Sequence, residues 1–271
     1  MDERCKTKYP VLLVHGAGFR DLKLPLYWGR IPGVLQDHGA EVFFGGQDAW
    51  GSTLENAKML VQRIEELCLQ TGSEKLNLIA HSKGGLEARM AASSLGAGDR
   101  IASITTIATP HHGSRTISRL FRLPKPLFSA AAFAVNFWMR LVGDRSPDFL
   151  ASCQDLSEET AERFNAENPD VPGIRYRSYA CCMRGPLSDL SLWLSYLVVR
   201  HFEGPNDGLV SVSSASWGET ILLQGAGRRG VSHSDAIDLR RHALSKREGS
   251  GVREIPEVYV QILEDLKSSG L

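Results

Sequence analysis

No apolar run in this 271-residue chain reaches the roughly 18–20 residues that a membrane-spanning helix requires. The two nearest, at 127–139 and 190–199, are shorter and interrupted by Ser or Asn. Excess charge of one sign is also missing. Lys plus Arg number 31 and Asp plus Glu number 31, so the formal net charge is zero. A nucleic-acid-binding surface works by displacing counterions with surplus cations, and this balance argues against one. Cysteine is sparse: Cys5, Cys68, Cys153, Cys181 and Cys182 form no C-x-x-C pair for zinc or redox work, and sequence neighbours such as the last two rarely bridge each other. The opening eight residues carry no apolar core before Tyr9. The expectation is a reduced, cytoplasmic protein, or a secreted one if a leader has been trimmed. Internal repeats and low-complexity tracts are absent as well.

What is present is the balance of a soluble globular domain, 42% apolar and 23% charged, in a chain long enough for one large core. Short apolar runs at 10–14, 41–44, 76–80, 101–108, 174–180 and 220–223 predict strands, the first so continuously apolar that it reads as buried on both faces. Ser52 with Glu55 predicts a helix start, Ala57, Leu60, Val61, Ile64, Leu67 and Cys68 share its inner face, and Gly72 ends it. Further helices are predicted at 85–95, at 157–168 before Pro169, and from Pro256, with Val258, Tyr259, Ile262, Leu263 and Leu266 inward. Strand–helix alternation with short links implies a parallel sheet. The rhythm breaks at 115–150, where no strand pattern appears and residues 127–142 are apolar almost all round, relieved by Asn136 and Arg140. The polar loop 246–251 is too short to be a domain linker. The predicted architecture is one α/β domain over 1–271, a mostly parallel sheet of about six strands flanked by helices, with a helical lid or cap inserted at about 115–170.

Chemistry concentrates at the ends of the strands. Ala80-His81-Ser82-Lys83-Gly84 follows the third strand and precedes a helix. In that context small residues two positions either side of Ser82 allow a turn so tight that the serine hydroxyl stands above the sheet edge. A serine hydroxyl needs a base, and among eight histidines His233 lies in a short loop after the last strand. The carboxylate that orients it should fall between Ser and His in chain order. Asp207 in the Asn206-Asp207-Gly208 turn fits, with Asp189 as the alternative acid. Val14-His15-Gly16-Ala17-Gly18 supplies a glycine-rich loop after the first strand. The Ala17 and Lys83 backbone N–H groups are the candidate oxyanion donors. A dinucleotide loop would need a third glycine where Asp21 stands, which excludes that reading.

These segments, together with Thr105 to Ser114, Glu162-Arg163-Phe164-Asn165, Asn206 to Ser211 and His233-Ser234-Asp235, resemble the bacterial triacylglycerol lipases of the α/β-hydrolase superfamily, in order over nearly the whole chain. The resemblance implies the α/β-hydrolase fold, Ser82, Asp207 and His233 as a catalytic triad, and a lid beginning near Arg115. It also implies a structural calcium ion, with Asp235 as one ligand and Asp189 the best candidate for its partner; the chemistry itself needs no cofactor. Ala80 and Ala17 stand where bulkier or different small residues are usual, and no counterpart of the bridged cysteine pair or of the zinc-binding insertion of some relatives is apparent. The function expected is a carboxylic-ester hydrolase acting on a small-molecule or lipid ester, acylglycerols included, at a lipid–water interface. The same residues would also serve a thioesterase, an acyltransferase or a polyester hydrolase, and an inactive hydrolase fold would serve as a lipid-binding module.

Overall fold

The computed structural model describes residues 3–18, 27–120, 125–141, 143–226, 228–245 and 251–271. Asp21, Val142 and residues 246–250 of the polar loop lie outside the described residues. Strands β1 (Val11–Val14), β2 (Val42–Phe44), β3 (Leu76–His81), β4 (Ile101–Ile107), β5 (Arg175–Cys181) and β6 (Glu219–Leu223) form one sheet in the order β2-β1-β3-β4-β5-β6. Every neighbouring pair is parallel. All six correspond to a predicted strand.

The reason for the unbroken apolar run in β1 is visible in its packing. Successive side chains point to opposite faces. Val11 and Leu13 enter a core with Ile31 and Leu35 of α1 (Ile31–Asp37) and with Tyr259, Ile262 and Leu263 of α10 (Ile255–Ser268). Leu12 and Val14 enter the opposite core, against Leu60, Ile64 and Leu67 of α2 (Thr53–Thr71) and Ala88 and Ala91 of α3 (Lys83–Ala92). With helices on both faces there is no polar side to the strand. The buried Asn77 of β3 is satisfied: Ser103 Oγ donates to its Oδ1 at 2.7 Å, and its Nδ2 donates to the Tyr9 carbonyl at 3.2 Å.

The capping signals act as expected at α2. Ser52 Oγ accepts from the Glu55 N–H at 3.2 Å, and Gly72 closes the helix at φ +69°. The Glu55 carboxylate turns outward to Lys58 instead of back to the cap. Two differences from expectation follow from length. Helix α1 has only seven residues, with Pro32 and Gly33 inside it, too short for a periodic pattern to register. Helix α3 starts at Lys83 rather than Gly85, because the turn at Ser82 leaves no connecting residue.

Among the described residues the segment predicted to be helical carries α4 (Arg115–Leu120), α5 (Lys125–Leu141), α6 (Phe149–Gln154) and α7 (Glu158–Glu167), and no strand. The run at 190–199 lies largely in α8 (Trp193–Glu203), and a four-residue helix, α9 (Val212–Ala215), is capped by Ser211. The sheet thus puts the loops leaving β1 and β3 side by side at its C-terminal edge, with β2 on the other side of β1. In open parallel sheets this reversal of strand order opens a crevice.

Candidate active site

Ser82 sits at that crevice with φ +54° and ψ −132°, a conformation in which a non-glycine residue is strained by roughly 1–3 kcal/mol. The surroundings enforce it. The Ser82 N–H donates to the Ile107 carbonyl at 2.9 Å, and the Gly85 N–H returns to the Ser82 carbonyl at 3.1 Å. The small neighbours are required by contact: a Cβ on Gly84 would lie 2.3 Å from the His15 carbonyl oxygen, and one on Gly16 would lie 2.7 Å from Ser82 Cβ. The glycine of the first loop and the serine elbow are therefore packed backbone to backbone.

Asp207 and His233, 26 residues apart in the chain, are paired. His233 Nδ1 lies 2.8 Å from Asp207 Oδ2, and the His233 N–H donates to the Asp207 carbonyl at 2.8 Å. The other carboxylate oxygen, Oδ1, accepts from the Leu209 and Val210 N–H groups at 2.9 and 2.8 Å. The carboxylate is buried and has donors on both oxygens, so it is fixed in orientation. With Nδ1–H assigned to this bond, Nε2 carries the lone pair. The His81 ring lies against His233 with centroids 4.5 Å apart. Burial, with the nearby His233 charge, drives the His81 imidazole well below its ordinary range, so it stays neutral. Its Nδ1 is 2.6 Å from the Tyr27 hydroxyl, which also accepts the Gly16 N–H at 2.9 Å.

Ala17, Ser82 and His233 line one cavity of about 1140 Å³. Lys83 supplies the first amide of α3, which has no acceptor within the helix. The Lys83 side chain does something the sequence analysis did not anticipate. It is buried, and its Nζ donates to Glu87 Oε1 at 2.6 Å and to the Gly51 carbonyl at 2.9 Å. Asn56 Nδ2 and Gln47 Nε2 complete the Glu87 carboxylate at 2.8 and 3.0 Å. The i,i+4 Lys–Glu spacing in a helix with few other charges was the available signal.

Asp189 and Asp235 are brought together too, but their oxygens do not fit a calcium ion. Calcium takes six to eight oxygens at about 2.3–2.6 Å. Here the Arg240 guanidinium binds Asp235 Oδ1 and faces Asp189 Oδ2 at 3.9 Å. Among the described residues no group of three or more His, Cys, Asp or Glu side chains is placed to hold a metal. Asp189 is not the acid that pairs with His233. Asp207 is.

Apolar lining of the cavity comes from α4 and α8, through Ile117, Leu194, Val198, Val199 and Phe202. Among the described residues α5 does not line it.

Residues 9–134 match the family described as alpha/beta hydrolase fold. A triacylglycerol lipase of Vibrio cholerae is 34% identical over 244 residues, covering 80% of this chain and 76% of that protein. A triacylglycerol lipase of Pseudomonas fragi is 30% identical with full coverage of both chains. This chain belongs to the bacterial lipase family of α/β-hydrolases. The fold agrees: a metagenomic carboxyl esterase superimposes with TM-score 0.73 at 18% identity, covering 96% of this chain and 76% of that one. The mature lipase of Bacillus licheniformis does so with TM-score 0.66 at 19% identity, covering 86% and 88%. In this lipase-family chain the strained serine, the paired histidine and aspartate and the glycine loop occupy the C-terminal edge of the sheet, where the fold carries its chemistry.

Proposed function

We propose that Ser82, His233 and Asp207 hydrolyse carboxylic esters through an acyl-enzyme, and that the natural substrate is an acylglycerol or similar lipid ester. The chain is a carboxylic-ester hydrolase of the serine type. The observation that carries the mechanism is the buried Asp207–His233 pair at 2.8 Å, opening on the cavity that Ser82 lines.

With Nδ1–H held by Asp207, His233 Nε2 takes the Ser82 hydroxyl proton as Oγ bonds to the ester carbonyl carbon. The carbonyl oxygen becomes an oxyanion, and the Ala17 and Lys83 N–H groups donate to it. The imidazolium then gives its proton to the leaving alkoxide, which departs as the alcohol. A water deprotonated by the same nitrogen attacks the acyl-enzyme carbonyl; the bond to Ser82 Oγ breaks, Oγ takes the proton back from the imidazolium, and the carboxylic acid leaves. No metal or redox group enters this sequence.

The apolar side chains of α4 and α8 around the cavity support a long acyl chain as the group held there. The exposed apolar residues Phe133, Phe137, Trp138 and Leu141 support α5 as a lid that meets a lipid–water interface.

The deciding assay compares p-nitrophenyl esters of increasing chain length with wild type and Ser82→Ala. The variant is expected to lose all but about 10⁻⁴ to 10⁻⁶ of the rate and all labelling by a fluorophosphonate. Comparable rates in the two proteins would end the proposal. The wild-type rate should also fall on acidification, since a protonated imidazole cannot accept the serine proton, and a flat pH profile would contradict that role.

A further inference from the structure

Two carboxylates that meet in a protein interior need a cation, and the chain carries one of its own. Asp189 and Asp235 are both buried. Asp189 Oδ1 accepts from the Ser191 N–H and Oγ at 3.1 and 2.7 Å, and its Oδ2 accepts from Ser232 Oγ at 2.8 Å. Asp235 Oδ2 accepts from the Ser232 N–H at 3.1 Å. Asp235 Oδ1 receives both Nε, at 2.9 Å, and Nη2 of Arg240, and the same Nη2 lies 3.9 Å from Asp189 Oδ2. Arg240 Nη1 donates to the Ser188 carbonyl at 3.3 Å, beside Arg229 Nε and Nη2 at 3.0 and 2.6 Å. Every carboxylate oxygen has its donor, and two guanidinium groups converge on the Ser188 carbonyl beside them.

The backbone delivers Arg240 to this place. After the short turn at Asp235–Ile237, Asp238 adopts φ +55° and turns the chain back, so that residue 240 returns to residue 235. Arg30 holds that turn, its N–H and Nε each donating to Asp238 Oδ2 at 2.8 Å.

We infer that the guanidinium of Arg240 is the resident cation of the Asp189–Asp235 pair, standing where the family resemblance implies calcium, so that the loop carrying His233 is clamped without a metal. Guanidinium N–H groups and a calcium ion would need the same face of Asp235 Oδ1, and the two exclude each other. The clamp brackets His233: Ser232 before it is tied to Asp189, and Asp235 after it to Arg240. Arg240 is thus a positioning residue, and this last step rests on the proposed role of His233.

The metal claim is tested without any assay of hydrolysis. Wild type is titrated with terbium, a luminescent stand-in for calcium, and melted in excess chelator and in excess calcium. The expected result is no saturable luminescence and a melting temperature unchanged to within about 1 °C, because a cation that does not bind the native state cannot stabilise it. Saturation at micromolar terbium, or a rise of several degrees with calcium, overturns the proposal. Arg240→Gln is expected to melt several degrees lower and to lose at least about tenfold in kcat with little change in KM, while Arg240→Lys recovers part of both. An Arg240→Gln protein as stable as wild type overturns the clamp. Loss of stability with kcat intact removes only its link to His233. Failure of the hydrolase reading would appear instead as esterase activity in Ser82→Ala, which none of the metal measurements affects.

Discussion

Single residues at the crevice carry conflicts that their neighbours resolve. Ser82 is held at positive φ although it is not glycine, with Gly16 packed against its Cβ and Gly84 against the backbone of Val14 and His15. Gly16→Ala is expected to push the first loop away from the elbow, since its Cβ would also come within 3.0 Å of the Tyr27 hydroxyl and 3.1 Å of the His81 carbonyl. Esterase kcat should drop by about 10²-fold or more, because one oxyanion donor sits on the displaced loop. A variant with wild-type kcat would remove the Ala17 amide from the mechanism. The Lys83–Glu87 pair makes a second case. Replacing Lys83 by Met leaves a buried carboxylate with its charge uncompensated, and the loss of folding stability should be about 3–5 kcal/mol by chemical denaturation. The double replacement Lys83→Met with Glu87→Leu should recover most of it.

At the scale of elements, the inserted helices differ in how much of their surface is covered. Arg145 and Ser146 N–H groups donate to Asp48 Oδ2 at 2.7 Å each, Asp144 accepts from the Ala49 and Trp50 N–H groups at 3.1 Å, and Asp155 accepts from the Thr53 N–H at 2.6 Å. Helix α4 is tied down through Thr116 to Glu203 and Ser118 to Glu159. Between these, α5 carries Phe133, Phe137, Trp138 and Leu141 more than half exposed. These exposed apolar side chains are what supports the proposed lid role of α5. Phe137→Ser with Trp138→Ser is expected to leave hydrolysis of dissolved short-chain esters within about twofold while cutting the rate on emulsified triacylglycerol about tenfold or more. Equal losses on both substrates would mean that α5 serves folding alone. The apolar pattern at 127–142 reads correctly as helix from the sequence. Its exposure could not be read, because an apolar stripe looks the same whether it meets protein or lipid.

Across the molecule, buried polar groups connect what the sheet separates. Arg89 of α3 reaches Asn165 Oδ1 and the Asn168 carbonyl of the α7 region at 2.8 and 3.0 Å, stacks on the Trp217 ring at 3.7 Å, and lies 3.3 Å from His111 Nδ1. Burial lowers its pKa to about 10, still well above neutrality. A guanidinium only donates, so His111 Nδ1 must offer a lone pair and the ring is neutral. Burial first, and then the Arg89 and His112 charges, keep His111 well below the ordinary imidazole value of 6.5, as burial does for His81. The unfolded chain binds protons at these sites below about pH 6.5 while the folded protein does not. Stability is therefore complete above that pH and falls on acidification, by up to about 1.4 kcal/mol per pH unit for each histidine. The melting temperature should drop between pH 7.5 and about pH 5.5, less steeply for His111→Gln. An unchanged slope in that variant would assign the acid sensitivity elsewhere.

Local chemistry settles much of this protein before any folding is known. Strand runs, helix caps, the Ala80–Gly84 turn and the choice of Asp207 and His233 are legible because propensity, periodicity and turn geometry act over a few neighbouring residues. Pairings between distant side chains are not local. Nothing in residues 235–240 announces that Arg240 folds back onto Asp235, nothing in the stretch between Asp207 and His233 states their separation in space, and the depth at which Lys83 and Glu87 lie depends on the loop from Gln47 to Gly51. Those contacts arise only when the sheet brings its loops to one edge, because charge pairing and burial are properties of three-dimensional distance, which the order of residues along the chain does not encode directly.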